Sequence, residues 1–170
     1  MRKIIFLDFD GVLNTEKYQA ELQYKGCPKQ DEFGAIFDSN AVARLKHIID
    51  ATGADIVVQS SWKCLGLDAM QEMWTARNLP GKIIDITPSK VTDEYLLKTD
   101  ISSFDVSNFP FKGLEIDSWL TAHNKQTINY VIIDDEDVIL DSQFSCFIQT
   151  NPHDGLTKTV ADRAISILNK

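Results

Sequence analysis

KIIFLDFDG, Lys3 to Gly11, is the stretch on which the fold turns. Its apolar part, Ile4 to Leu7, is short and rich in β-branched and aromatic residues, so it is expected as a buried strand. Asp8 and Asp10 follow where that strand emerges at its carboxyl end, the usual ligand crevice of open α/β sheets. Alternation in an extended chain aims Asp8 and Asp10 to one side and Phe9 to the other. Two like charges this close repel unless a cation lies between them or one of them holds a proton. Taken alone, Asp8-Phe9-Asp10-Gly11 reads equally well as a strand ending in an Asp-Gly turn.

Working outward, similar runs recur at Asp55–Val58, Lys82–Ile86, Tyr130–Ile133 and Ser145–Gln149. They alternate with helical patterns, which predicts a parallel sheet covered by helices, an α/β fold. One helix is expected to be capped by Asp38 or Ser39, to carry Val42, Leu45, Ile48 and Ile49 on one face, and to end at Gly53. A second, Leu67 to Arg77, turns Met70, Met73 and Trp74 inward until Leu79, Pro80 and Gly81 lead into the next strand. A third carries Leu114, Ile116, Trp119 and Leu120, and a last one, entered at Thr157, carries Val160, Ala164, Ile165 and Leu168. Two stretches, 14–37 and 87–111, fit no regular element and exceed most loops in compact domains, so both are expected to serve the site.

The 170 residues suit one domain, 1–170. Apolar residues make up 44% and charged residues 25%, the ordinary globular mixture, so a buried core is expected and wholesale disorder is not. A net charge of −8 and a pI near 4.8 argue against a broad nucleic-acid-binding surface, which needs clustered Lys and Arg. Cys27, Cys64 and Cys146 are odd in number and lack metal-ligand spacing, which reads as reduced thiols in a cytosolic protein. Asp8 and Asp10 interrupt the first apolar run far too early for a signal peptide or a membrane span.

The stretch IIFLDFDGVLN, Ile4 to Asn14, resembles the first motif of the haloacid dehalogenase (HAD) superfamily of phosphohydrolases, a hydrophobic strand ending in DxDG. Three further matches follow in order. Ile56 to Gln59 lead to Ser60, Lys112 precedes a helix, and Asp134 and Asp135 close the run Tyr130–Ile133. Each later match is weak by itself, since a Ser after a strand is commonly a cap and a lone Lys is commonly solvated surface. Their order carries the resemblance, which runs from Lys3 to about Gln149. The phrases SSWK (Ser60–Lys63), KGLEIDSWL (Lys112–Leu120) and VIIDDED (Val131–Asp137) are similar to a small, capless branch related to phosphatase domains of nucleic-acid end repair. The resemblance implies a Rossmann-like three-layer sandwich around a mainly parallel sheet, without a large cap domain.

It also implies a chemistry. Asp8 would be the nucleophile that forms an aspartyl-phosphate, and Asp10 would give a proton to the leaving group and take one from water. Mg²⁺ would be held by Asp8, the backbone carbonyl of Asp10 and Asp134, with Asp135 as ligand or support. Lys112 would steady the nucleophile and the transferring group, and Ser60 would bind a phosphoryl oxygen, with Ser61 as the fallback one residue on. The expected substrate is a phosphomonoester whose class stays open among small metabolites, nucleotides and nucleic-acid ends. Trp62 is expected as packing or as a stacking surface for a base or sugar. Two rival readings are a receiver-like phosphoacceptor switch and a noncatalytic nucleic-acid-binding module. The switch fits poorly, because a receiver places its phosphoacceptor after a middle strand rather than after the first.

Overall fold

In the computed structural model the described residues are 1–89 and 109–170. Their central feature is a five-stranded sheet in which every pairing is parallel. Strands β1 (Arg2–Leu7), β4 (Asp55–Val58), β5 (Ile83–Ile86), β6 (Ile128–Asp134) and β7 (Phe147–Gln149) lie in the order β5-β4-β1-β6-β7. β1 takes the centre because Ile4, Ile5, Phe6 and Leu7 are fully buried, and a strand covered on both faces reads as an unbroken apolar run.

Alternate residues serve different layers. Ile5, Leu7, Ile56, Val58, Val131 and Ile133 join one core with helices α2 (Ser39–Thr52), α3 (Leu67–Ala76) and α5 (Lys158–Leu168). Ile4, Phe6, Val57, Tyr130 and Ile132 face the other way and pack with Ile116, Trp119 and Leu120 of α4 (Phe111–Ala122). The result is the expected three-layer α/β sandwich, and no cap domain occurs among the described residues. No helix among them is long and apolar enough to cross a membrane.

Local signals set the helix ends. The Asp38 side chain accepts a hydrogen bond from the Asn40 amide at 2.8 Å and caps α2, and Gly53 ends it with φ of 67°. Thr157 caps α5 through the Val160 amide. Met70, Met73 and Trp74 are core residues of α3, as the apolar spacing predicts.

Two expectations are corrected. The stretch 14–37 is not irregular: it contains helix α1 (Glu16–Tyr24) and a two-strand ladder of β2 (Gln30–Asp31) with β3 (Gly34–Ala35). α1 buries only Leu22, so it shows no apolar stripe, and its start is secured instead by Thr15, whose hydroxyl accepts from the Tyr18 amide. The strand read at Ser145–Gln149 begins only at Phe147, because Asp141–Cys146 form a 3₁₀ turn. Of the other stretch read as irregular, 87–111, residues 90–108 lie outside the described residues.

Candidate functional site

Register places the site. Leu7 pairs with Val58 on one side and Ile133 on the other, so the next residues at the sheet's carboxyl edge are Asp8, Gln59 and Asp134. They continue the parity of Phe6, Val57 and Ile132, which is the α4 side. Two acidic residues 126 positions apart are thereby neighbours. Carboxylate oxygens of Asp8, Asp134 and Asp135 all lie within 4.8 Å of one another.

Lys112, in the first turn of α4, reaches this cluster. Its Nζ donates to Asp8 Oδ2 at 2.8 Å and to both oxygens of Asp134 at 2.9 Å, and it pairs with Glu136 Oε2 at 2.9 Å. The α4 terminus is pinned against the segment after β6. The Gly113 amide donates to the Val138 carbonyl at 3.0 Å, and Gln143 Nε2 donates to the Gly113 carbonyl at 2.9 Å. A side chain at Gly113 would overlap the backbone at Ile139 and Leu140, so glycine is needed for this close approach. Asp8 itself is fixed at both oxygens, since Oδ1 accepts from the Phe9 amide at 2.7 Å while Oδ2 takes Lys112.

The electrostatics are unbalanced. Among the described residues one ammonium faces Asp8, Asp134, Asp135 and Glu136, and Asp8 and Asp134 are only 5% and 1% exposed. Burial, and then the Asp8 charge, push the Asp134 carboxyl up to about 7 against the pull of Lys112. The same two causes raise Asp135 above its ordinary range. Burial opposes the charge on Lys112, but the Asp134 and Asp8 carboxylates together outweigh it and raise its pKa. Three converging carboxylate oxygens with excess negative charge form a donor set suited to a hard divalent cation, which takes oxygen ligands.

A pH dependence follows. An acid raised in the folded state binds its proton more tightly there than in the unfolded chain, so stability falls as pH rises between the two values. For Asp134 that window runs from its ordinary 3.8 to about 7. We predict that, without metal, the protein loses about 2 kcal/mol more than an Asp134→Asn variant between pH 5 and pH 7.5. Urea denaturation of both at the two pH values checks this, and equal losses would refute it.

Gly11 makes room for the acidic pair. Its φ is +70°, and a methyl group on it would overlap the Asp135 carboxylate. Gly11→Ala is therefore expected to destabilise the fold by about 1–2 kcal/mol and to displace Asp135. Thermal melting with and without added divalent cation reads both effects.

The remaining expected residues are placed as follows. Asp10 is exposed on the rim, with Oδ1 accepting from Asn14 Nδ2 at 2.7 Å and Oδ2 from Trp62 Nε1 at 3.0 Å. Ser60 is fully buried at the end of β4, and its hydroxyl faces the Trp62 amide at 3.4 Å, capping the 3₁₀ turn Ser61–Leu65. Ser61 is exposed at the start of that turn. So Asp8, Lys112, Asp134 and Asp135 are brought together directly, Asp10 lines a groove with Asp135, and Ser60 lies two residues beyond β4, the strand next to β1. A groove of about 400 Å³ beside them is lined by Asp10, Gly11, Asn14, Gln19, Asp135 and Pro152.

Several participants have no distinguishing sequence signal. Glu136 pairs with Lys112, and Trp62 packs against the core as expected while its indole N–H also holds Asp10, a contact the sequence does not signal. Thr150 braces the site floor, donating its amide to the Asp134 carbonyl and its hydroxyl to the Gly11 carbonyl at 2.8 Å. Beside Asp8, a buried network links Lys63 Nζ to Thr87 Oγ1 at 2.8 Å and to Glu115 Oε2 at 2.5 Å, and Gln59 Nε2 to the same Glu115 oxygen at 3.0 Å. Glu115 lies one helical turn from Lys112, so this network anchors the helix that carries the cationic side chain.

Comparison with known proteins adds one finding. A family model described as the HAD domain in Swiss Army Knife RNA repair proteins matches residues 4–161. No curated protein and no solved structure matches the chain.

Proposed function

The chain belongs to this family of HAD domains, and from that premise we propose that it is a Mg²⁺-dependent phosphomonoesterase working through an aspartyl-phosphate on Asp8. The observation that carries the reading is the meeting of Asp8, Asp134 and Asp135 with Lys112 at the carboxyl edge of the sheet. Asp8, Asp134 and Asp135 are the side chains that would hold the cation, together with the Asp10 carbonyl. Mg²⁺, when bound, would neutralise phosphoryl oxygens that otherwise repel an anionic nucleophile.

The residues then divide the work. A carboxylate oxygen of Asp8 attacks phosphorus, the ester P–O bond breaks, and the leaving alkoxide takes a proton from the Asp10 carboxyl. A water molecule next gives a proton to Asp10 and attacks the same phosphorus. The bond to Asp8 breaks, inorganic phosphate leaves and the nucleophile is restored. Lys112 keeps Asp8 oriented throughout and stabilises charge on the transferring group. Ser61, exposed at the start of the turn, would contact a phosphoryl oxygen, since Ser60 is fully buried and its hydroxyl caps the turn.

The family description names RNA repair, so a phosphorylated RNA end is the substrate class we assign first, ahead of free nucleotides and small phosphometabolites. With a net charge of −8, recognition would be confined to the end itself and would not extend along a strand. A cytosolic setting fits the three free cysteines. The test is a phosphate-release screen over phosphorylated oligoribonucleotide ends, nucleotides, phosphosugars and phosphopeptides, with Mg²⁺ and with chelator. Release that persists fully in chelator would sink the metal dependence, and a stable phosphoprotein without turnover would favour a switch.

A further inference from the structure

We propose that Trp62 is a positioning residue for Asp10, holding the proton-transfer group through its indole N–H; this rests on the phosphatase reading above. The starting point is the exposure of Asp10. A carboxylate on an exposed loop turns freely among rotamers unless something holds it. Here both oxygens are held, Oδ1 by Asn14 and Oδ2 by Trp62 Nε1 at 3.0 Å. Each oxygen keeps a second lone pair, so a leaving group or a water can still be served.

Trp62 is itself held in place. Its ring meets the Phe9 ring edge-on at 5.6 Å and the Phe37 ring at 5.6 Å, and the Arg77 guanidinium lies 5.9 Å from its centroid. On another side the Gly34 backbone comes so near that an added Cβ would stand 3.1 Å from the indole Cη2. Arg77 donates to both Asp31 oxygens and to the Gly34 carbonyl, tying the β2–β3 ladder down over the indole. Rigid contacts thus run from the end of α3 to the oxygen of Asp10.

Trp62→Phe keeps an aromatic ring against Phe9 and Phe37 and removes the donor, at the cost of the smaller ring's lost volume beside Gly34. In this variant kcat/KM, which reports formation of the aspartyl-phosphate, should fall about tenfold or more for an alkyl phosphate, whose leaving group needs a proton. For p-nitrophenyl phosphate, whose leaving group does not, it should change less than about threefold. Equal losses on both esters, or none, would overturn the proposal. An activity-independent readout is the indole N–H resonance among the three tryptophans, assigned by its disappearance in Trp62→Phe. It should move in Asp10→Ala, and an unmoved signal would overturn the proposal even if turnover were altered. If the parent released no phosphate from either ester in Mg²⁺, the phosphatase reading would fail first, and with it the role assigned to Trp62.

Discussion

Asp8→Asn is expected to slow phosphate release by at least about 10⁴-fold while leaving stability within about 1 kcal/mol of the parent. The first half follows from chemistry, since an amide is a poor nucleophile toward phosphorus and, among the described residues, no other carboxylate is held at the same point by Lys112 and the Phe9 amide. The second half follows from charge. Lys112 keeps Asp134 and Glu136 as partners, and removal of the Asp8 charge eliminates one of the causes that raise Asp134. Single-turnover kinetics and a urea melt read the two halves separately. A variant that unfolds, or one that turns over like the parent, would contradict the role given to Asp8.

Lys112→Met is expected to do the reverse on stability. Without the ammonium, Asp8 and Asp134 face each other buried and uncompensated, and breaking a buried pair in this way costs about 3–5 kcal/mol. Turnover should also fall about 10²–10³-fold, because the transferring group loses a preorganised cation. The loss of stability should be strongest at neutral pH without metal, and it should shrink at pH 5 or when Mg²⁺ is added. Both conditions reduce the same repulsion, by protonation or by ligation. Melts at two pH values with and without Mg²⁺ test this, and a destabilisation indifferent to both would show that Lys112 acts through packing alone.

Legibility in the sequence followed the size of the local signal. The strand Ile4–Leu7 and the Asp8–Gly11 turn were readable because an unbroken apolar run followed by acids has few other uses. The helix at Ser39–Thr52 was readable from its cap, its stripe and its terminal glycine. Helix Glu16–Tyr24 was not, since one buried leucine makes no periodicity. The start of the last strand was misplaced because Ser145 and Cys146 are compatible with either a strand or a turn. Trp62 shows the same limit at the site: its position before Lys63 does not reveal which atom its N–H meets.

By itself, the sequence determined the α/β class and the acidic pair Asp8 and Asp10 that follows the first strand, while the later acidic and basic residues were marked by the resemblance that their order carries. The first two are properties of nearest neighbours along the chain, where alternation and turn chemistry operate over a few residues. Only the tertiary structure decided that Lys112 touches both Asp8 and Asp134, that Glu136 joins them, and that Trp62 and Asn14 grip Asp10. Those contacts join residues up to 104 positions apart. They depend on strand register and on the seating of helix Phe111–Ala122, which are set by packing of the whole sheet.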